Sequence, residues 1–81
     1  MKVRLFAFAG LRELLGQENL VLDLPVSAKV EDAIEFLTHG YEGVRALAPS
    51  LRAAINQEYA ERDQLLFENC ELALFPPVGG G

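Results

Sequence analysis

The sequence has very little cysteine and histidine: one of each, Cys70 and His39, and it has no tryptophan. A single cysteine excludes an intramolecular disulfide. One cysteine and one histidine also fall short of the ligand set of a structural zinc site, so no metal is expected. Such sparing use of cysteine is typical of a reducing compartment, and we expect the chain to be cytoplasmic.

Long hydrophobic runs are absent as well. The N-terminal stretch MKVRLFAFAGLRELLG is partly apolar, but Arg4, Arg12 and Glu13 interrupt it and no small-residue cleavage site follows. The uncharged runs fall far short of the roughly 20 apolar residues that cross a bilayer. We therefore expect neither a signal peptide nor a membrane partner.

Positive charge is scarce relative to negative charge. The chain has 7 Lys and Arg against 12 Asp and Glu, which gives a formal net charge of −5. Affinity for nucleic acid comes largely from Lys and Arg side chains that neutralise phosphates. The composition therefore argues against nucleic acid as a direct partner.

Groups suited to catalysis are few. His39 lies in a glycine-rich connection and Cys70 in a predicted turn, so they do not form a nucleophile and base pair. The acidic residues at 31, 32 and 35 fit the solvated face of an amphipathic helix better than a metal site. The glycines at 79–81 precede no helix and no Lys-Ser or Lys-Thr pair, which argues against a phosphate-binding loop. The chain alone is not expected to be an enzyme.

The first part of the chain reads as a strand followed by a short helix. Alternation over Lys2–Phe8 predicts the strand, with one face formed by Val3, Leu5 and Ala7. The segment AGLRELLG then has leucines at helical spacing and ends on Gly16, which predicts one or two helical turns closed by a glycine.

A second strand and the main helix follow. The strand is predicted over Asn19–Pro25, where proline ends it. Ser27 is the candidate N-cap of the helix. Its apolar stripe has the spacing i, i+3, i+4 and i+7 and consists of Val30, Ala33, Ile34 and Leu37.

The second half is predicted to contain shorter elements. A helical turn is expected over 43–48, a third strand from Leu51 to a turn at Asn56 and Gln57, and a short fourth strand at 59–60. A tight turn at 68–70 leads to a last strand that Pro76 ends. This order of elements predicts an α+β domain over 1–75, with one sheet and one main helix, followed by a flexible tail at 76–81.

The chain ends on ALFPPVGGG, a stiff lead followed by three glycines. At a glycine background of about 7%, three terminal glycines arise by chance roughly once in 3000 sequences. Glycine has no Cβ, so an extended run of glycines fits a narrow channel, and the two prolines hold its base extended. A carboxylate reacts only once its oxygen becomes a leaving group, usually in an acyl-adenylate that a separate enzyme makes from ATP. The terminal carboxylate is therefore the candidate functional group.

Aromatic residues give a second candidate feature. Phe6 and Phe8 share one face of the predicted first strand, and Phe75 lies opposite the inward leucines of the last strand. Phe8 and Phe75 are expected to point outward and to lie close together. Two interpretations stay open at this point: a partner-binding patch, or aromatic residues that a loop covers at the rim of the core.

Three segments, AINQEYA, ELALFPPVGGG and FAGLRELLG, together resemble the small subunits of molybdopterin synthase, a family of ubiquitin-like sulfur carriers. The resemblance spans nearly the whole chain, and its most specific element is the terminal FPPV-x-GG. It implies a ubiquitin-like β-grasp fold, in which one mixed sheet packs on the main helix. It also implies that Gly81 is the functional residue, with Gly80 and Gly79 giving the tail access to other active sites.

The resemblance further implies a set of partners. An E1-like adenylyltransferase would use ATP to activate the Gly81 carboxylate, and a sulfur donor protein would supply the sulfur of a thiocarboxylate. The large subunit of molybdopterin synthase would receive the tail and pass the sulfur to the pterin precursor of the molybdenum cofactor. No cofactor would be bound by the chain itself. Contacts with partners are implied for Phe8, Tyr59, Phe75, Pro76, Pro77 and Val78.

Two departures from the family pattern are visible. Asn69-Cys70 stands where the family usually has Gly-Asp before the last strand, and asparagine tolerates the left-handed backbone of such a turn. Tyr59 stands where a smaller aliphatic residue is common, which bears on the fit to the partner. Three alternatives stay open: a carrier for thiamine synthesis, a carrier for tRNA thiolation, and a plain ubiquitin-like protein-binding module.

Overall fold

The computed structural model describes residues 1–77, and this part of the chain contains five strands and three short or medium helices. The strands are β1 (Lys2–Ala7), β2 (Asn19–Asp23), β3 (Arg52–Ile55), β4 (Glu58–Ala60) and β5 (Glu71–Phe75). The α-helices are α1 (Ala9–Leu15), α2 (Val30–Gly40) and α3 (Val44–Leu47), and a 3₁₀ turn covers Ala48–Ser50.

The strands form one mixed sheet in the order β2-β1-β5-β3-β4. β1 and β5 run parallel in the centre, and the other neighbours are antiparallel. The first hairpin and the final strand that returns beside β1 are the topology expected of a β-grasp. The predicted fold class is therefore confirmed.

The core lies between one face of the sheet and α2. Alternation of the strands places every second side chain inward, including Leu5 of β1 and Leu72 and Leu74 of β5, which have no exposed surface. The predicted apolar stripe of α2 is buried against them. Burial of each such leucine contributes roughly 1.5–3 kcal/mol, so these rows supply much of the driving force for folding.

Turn residues behave as their side chains predict. Gly16 closes α1 in the left-handed conformation with φ 77°, as expected. Asn56 and Gln57 both have positive φ and join β3 to β4, and Asn69 has φ 63° in the turn before β5. The asparagine at position 69 thus takes the backbone conformation that a turn glycine would otherwise provide.

Two local predictions are wrong. Ser27 is not the N-cap of α2: it has φ 75° within a turn, and the helix begins after Lys29. The Asp32 carboxylate accepts a hydrogen bond of 2.8 Å from the Lys29 backbone N–H, which satisfies the start of the helix without the serine. Phe8 is not part of β1, which ends at Ala7, but the N-cap residue of α1.

The described residues contain no helix that is long and apolar enough to cross a membrane. β5 ends at Phe75, and Val78 to Gly81 lie outside the part of the chain that the structure describes. The boundary at residue 75 and the flexible tail at 76–81 stay predictions.

Candidate functional site: the outer sheet face and the root of the tail

The root of the C-terminal segment is fixed in the middle of the sheet. β5 pairs with β1 on one side and with β3 on the other, so its backbone is held from both edges. Phe75 and Pro76 are half-buried, and Pro77 is exposed. The chain therefore leaves the domain from a rigid central strand, and proline restricts the backbone directly beyond it.

An apolar row crosses the outer face of the sheet, opposite α2. Pairing of the strands aligns Phe6 with Ala73, Ala73 with Ala54, and Ala54 with Tyr59. The two alanines are half-buried and small, while Tyr59 is 62% exposed. The row is a shallow apolar floor between two aromatic side chains, a shape suited to a partner's surface.

Phe8 and Phe75 lie at the edge of the same outer face, where the chain leaves the sheet toward its C-terminus. Ala7 pairs with Leu74, so Phe8 directly after β1 and Phe75 at the end of β5 each lie one residue beyond this pair. Phe8 is 48% exposed, which shows that no loop within residues 1–77 covers it. Phe75 is half-buried, so the exposure expected of a partner-binding patch is seen for Phe8, and the role of the two residues stays a prediction.

Charged residues border this apolar face. Arg4 and Glu71 form an ion pair of 3.3 Å at one end. At the other end Arg52 lies opposite Phe75 in the register of β3 and β5 and forms no ion pair within residues 1–77. An exposed guanidinium beside the tail root, without an ion pair to the described residues, offers a donor group to an acidic residue of a partner.

Sequence reasoning did not identify Arg52, Ala54 or Ala73 as part of the site. Their period-2 alternation with inward residues was visible, but the pairing of β3 with β5 was not.

A cleft of about 270 Å³ also lies next to the tail root, between α2 and the edge of the sheet that β3 and β4 form. Its lining includes Pro77, Tyr59 and Arg52.

The remaining candidate groups lie apart from this face. His39 is exposed on α2, where its Nδ1 is 3.0 Å from the Glu35 carbonyl oxygen. Cys70 is buried in the core. Within residues 1–77, no group of three or more His, Cys, Asp and Glu side chains is arranged to hold a metal ion. Val78, Gly79, Gly80 and Gly81 lie outside the described residues, so their roles stay predictions.

The Asp23 carboxylate lies near two positive charges, at the end of the sheet that is far from the tail root. The Lys2 Nζ donates a hydrogen bond of 2.9 Å to the Asp23 carboxylate, and the N-terminal amine lies 3.7 Å from it. The hydrogen bond and the positive charge of Lys2 lower the pKa of Asp23 below its ordinary value. These contacts tie the start of β1 to the end of β2.

Comparison with known proteins places the fold and the tail in one family. The model of the ThiS family matches residues 5–81. A Dictyostelium discoideum protein named molybdopterin synthase sulfur carrier subunit is 33% identical, and the match covers 96% of this chain and 94% of the relative.

Solved structures agree with this placement. A chain from Pyrococcus furiosus, described as a putative molybdopterin converting factor subunit 1, is 28% identical with a TM-score of 0.86 and coverage of 96% and 99%. The small archaeal modifier protein 1 of Haloferax volcanii is 27% identical with a TM-score of 0.83 and coverage of 95% and 98%. Both share the full domain with this chain.

Proposed function

Because the chain belongs to the ThiS family, we propose that it is a sulfur carrier, the small subunit of a molybdopterin synthase. The observation that carries the proposal is the position of the tail root: a central strand, an exposed apolar face beside it, and two prolines separated from the terminal glycines by Val78 alone. A carrier needs these three parts, because partners must grip the domain while its end enters their active sites.

The chemistry resides in the Gly81 carboxylate. An E1-like adenylyltransferase joins this carboxylate to the AMP part of ATP and releases pyrophosphate. Sulfur from a donor protein then replaces AMP, and the product is a C-terminal thiocarboxylate. The pterin precursor bound to the large subunit then accepts that sulfur, and water supplies the oxygen that restores the Gly81 carboxylate. ATP is thus a substrate of the partner, and this chain is the sulfur-donating subunit of the complex.

The domain contributes binding and orientation. Phe8, Tyr59 and Phe75 present apolar surface to the partner at the side from which the tail leaves. Residues 78–81 reach at most about 14 Å beyond Pro77, at roughly 3.3–3.6 Å per residue. Docking of the aromatic face therefore delimits the region in which the carboxylate can react.

Exchange of labelled pyrophosphate into ATP by the adenylyltransferase tests the proposal. We expect exchange only when the carrier is present, and loss of exchange when Gly80 and Gly81 are both deleted, because deletion of Gly81 alone leaves another Gly-Gly end. The shortened chain should still bind the large subunit, because the sheet face is unchanged. A plain binding module would give no carrier-dependent exchange with the full chain. To separate the molybdopterin pathway from thiamine synthesis and tRNA thiolation, the large subunit that co-purifies with the chain should be identified.

A second candidate function is protein modification. It is favoured by the likeness to the small archaeal modifier protein 1, which is nearly as similar in structure as the converting-factor chain. A modifier would join the activated Gly81 to a lysine amine of another protein. Higher-mass conjugates that require Gly81 and ATP and resist reducing agents would support it, whereas a thiocarboxylate with no conjugates would support the sulfur carrier.

A further inference from the structure

A groove lies on the opposite side of the molecule from the outer sheet face, between the β2–α2 connection and the exposed flank of α2. Its volume is about 600 Å³. Two large hydrophobic side chains in its lining are exposed, Val26 at 80% and Phe36 at 46%. Exposed apolar side chains that line the same concave surface are typical of binding sites for other proteins.

The backbone holds Val26 outward. The Ala28 N–H donates a hydrogen bond of 3.1 Å to the Pro25 carbonyl oxygen, and Ser27 has φ 75° between them. This is the arrangement of a type II turn with Val26 as its first central residue. The valine is therefore fixed at the turn's tip, and its exposure does not result from a loose loop.

The groove is acidic. Its lining includes the carboxylates of Asp32 and Glu35, and it contains no Lys or Arg. Asp32 uses one oxygen to accept the Lys29 N–H, which leaves the other free within residues 1–77. The Glu35 carboxylate is 3.8 Å from His39 Nδ1, the only other titratable side chain in the groove.

None of the groove's lining residues belongs to the outer sheet face. Its turn follows the end of β2, which pairs with the start of β1, whereas the tail leaves beside the end of β1. The turn that forms one side of the groove is thus separated from the root of the tail by the length of β1, about 17 Å at roughly 3.3 Å per residue. A protein in the groove would not block one that holds the aromatic face and the tail.

We propose that this groove binds a cationic segment of a partner protein, with an apolar side chain of that segment between Val26 and Phe36 and its Lys or Arg residues beside Asp32 and Glu35. Charge complementarity selects this occupant, because an acidic segment would meet two carboxylates without a lysine or arginine. A second copy of this chain is disfavoured, since each copy carries a net charge of −5 and the same acidic groove.

A second binding surface would give the carrier a property beyond the proposed function. A carrier with two separate surfaces can stay bound to one protein while its tail enters the active site of another. Transfer between successive partners then needs no free intermediate in solution, and the tethered tail acts at a raised effective concentration.

Selection of phage-displayed peptides on the full-length chain tests the proposal, followed by fluorescence anisotropy with the best peptide. We expect the enriched peptides to combine Lys or Arg with Leu, Phe or Trp, and their affinity to fall as salt is added. Phe36→Ser should weaken binding roughly tenfold or more, whereas Phe67→Ser, a phenylalanine of similar exposure outside the groove, should not.

A matched pair of charge changes on α2 distinguishes peptide binding in the groove from a general attraction to the negatively charged chain. Glu35→Lys should weaken the peptide roughly tenfold, and Glu31→Lys, on the same helix but outside the groove, should have a much smaller effect. Deletion of Gly80 and Gly81 should leave peptide binding unchanged, so the result does not depend on the tail chemistry. Enriched peptides without positive charge, binding that is insensitive to Phe36→Ser, or self-association that Phe36→Ser abolishes would overturn the proposal.

Discussion

Phe75 and Arg52 lie directly opposite each other where β5 pairs with β3, immediately before the two prolines that lead to the tail. The pair places an aromatic ring and a guanidinium at the point where a partner must approach to receive the C-terminus. Arginine is enriched among the residues that dominate binding energy at protein interfaces, and phenylalanine is enriched at the cores of such interfaces. Several properties of the carrier can be tested from this geometry.

Phe75→Ser should weaken the complex with the large subunit by about 2 kcal/mol, roughly 30-fold in Kd. The reason is that the ring lies on the outer face and its loss leaves the inward leucines of β5 unchanged. Isothermal titration calorimetry with the large subunit measures the effect. Phe67→Ser is the control, because Phe67 is exposed but lies outside the strands. Equal affinity of wild type and Phe75→Ser would exclude this face as the docking surface.

Gly43 supports the turn between α2 and α3, and Gly43→Ala should lower the free energy of unfolding by about 1–2 kcal/mol. The residue has φ 90°, and an added Cβ would lie 2.7 Å from Cδ2 of Leu14. Leu14 is partly exposed and can move, so the backbone conformation is the main cost. Urea unfolding measures the change. Gly40→Ala, where an added Cβ meets nothing within 4 Å, should cause no loss; an equal loss in both variants would contradict the interpretation.

Arg62 ties the 3₁₀ turn to the segment after β4, because its guanidinium donates to the carbonyl oxygens of Ala48 at 2.6 Å and Leu51 at 2.9 Å. Arg62→Met keeps much of the aliphatic chain but leaves these carbonyls without their charged donor. We expect a loss of about 2–3 kcal/mol in the free energy of unfolding. Arg45→Met, at an exposed position on α3, is the control and should change stability by less than about 0.5 kcal/mol.

The lowered pKa of Asp23 predicts a pH dependence of stability. A carboxyl whose folded-state pKa lies below its unfolded-state pKa stabilises the fold above the unfolded-state value, and this contribution is lost as the pH falls through the folded-state value. Asp23→Asn should therefore be less stable than wild type at neutral pH, and the difference should vanish in acid. Chemical denaturation at several pH values measures it, with Asp63→Asn as an exposed control. A difference that grows in acid would contradict the direction of the shift.

The elements of the fold could be predicted because each has a strong local pattern: period 2 in β1 and β5, and the stripe of α2. Ser27 misled the prediction because serine often caps helices, whereas here Asp32 satisfies the Lys29 N–H and Ser27 lies in a turn. Alternation in β3 is visible for Arg52, but its position beside Phe75 is not, and neither is the groove of Val26 and Phe36. Both arise from tertiary contacts that bring separate segments together, and a single sequence does not reveal such contacts.

The most direct test of the central claim is the intact mass of the chain after incubation with the adenylyltransferase, ATP and the sulfur donor, once pyrophosphate exchange shows that activation occurs. A sulfur carrier gains the mass difference between one sulfur and one oxygen, and a chain without Gly80 and Gly81 gains nothing. An unchanged mass of the full-length chain under these conditions would contradict the claim that its C-terminus carries sulfur.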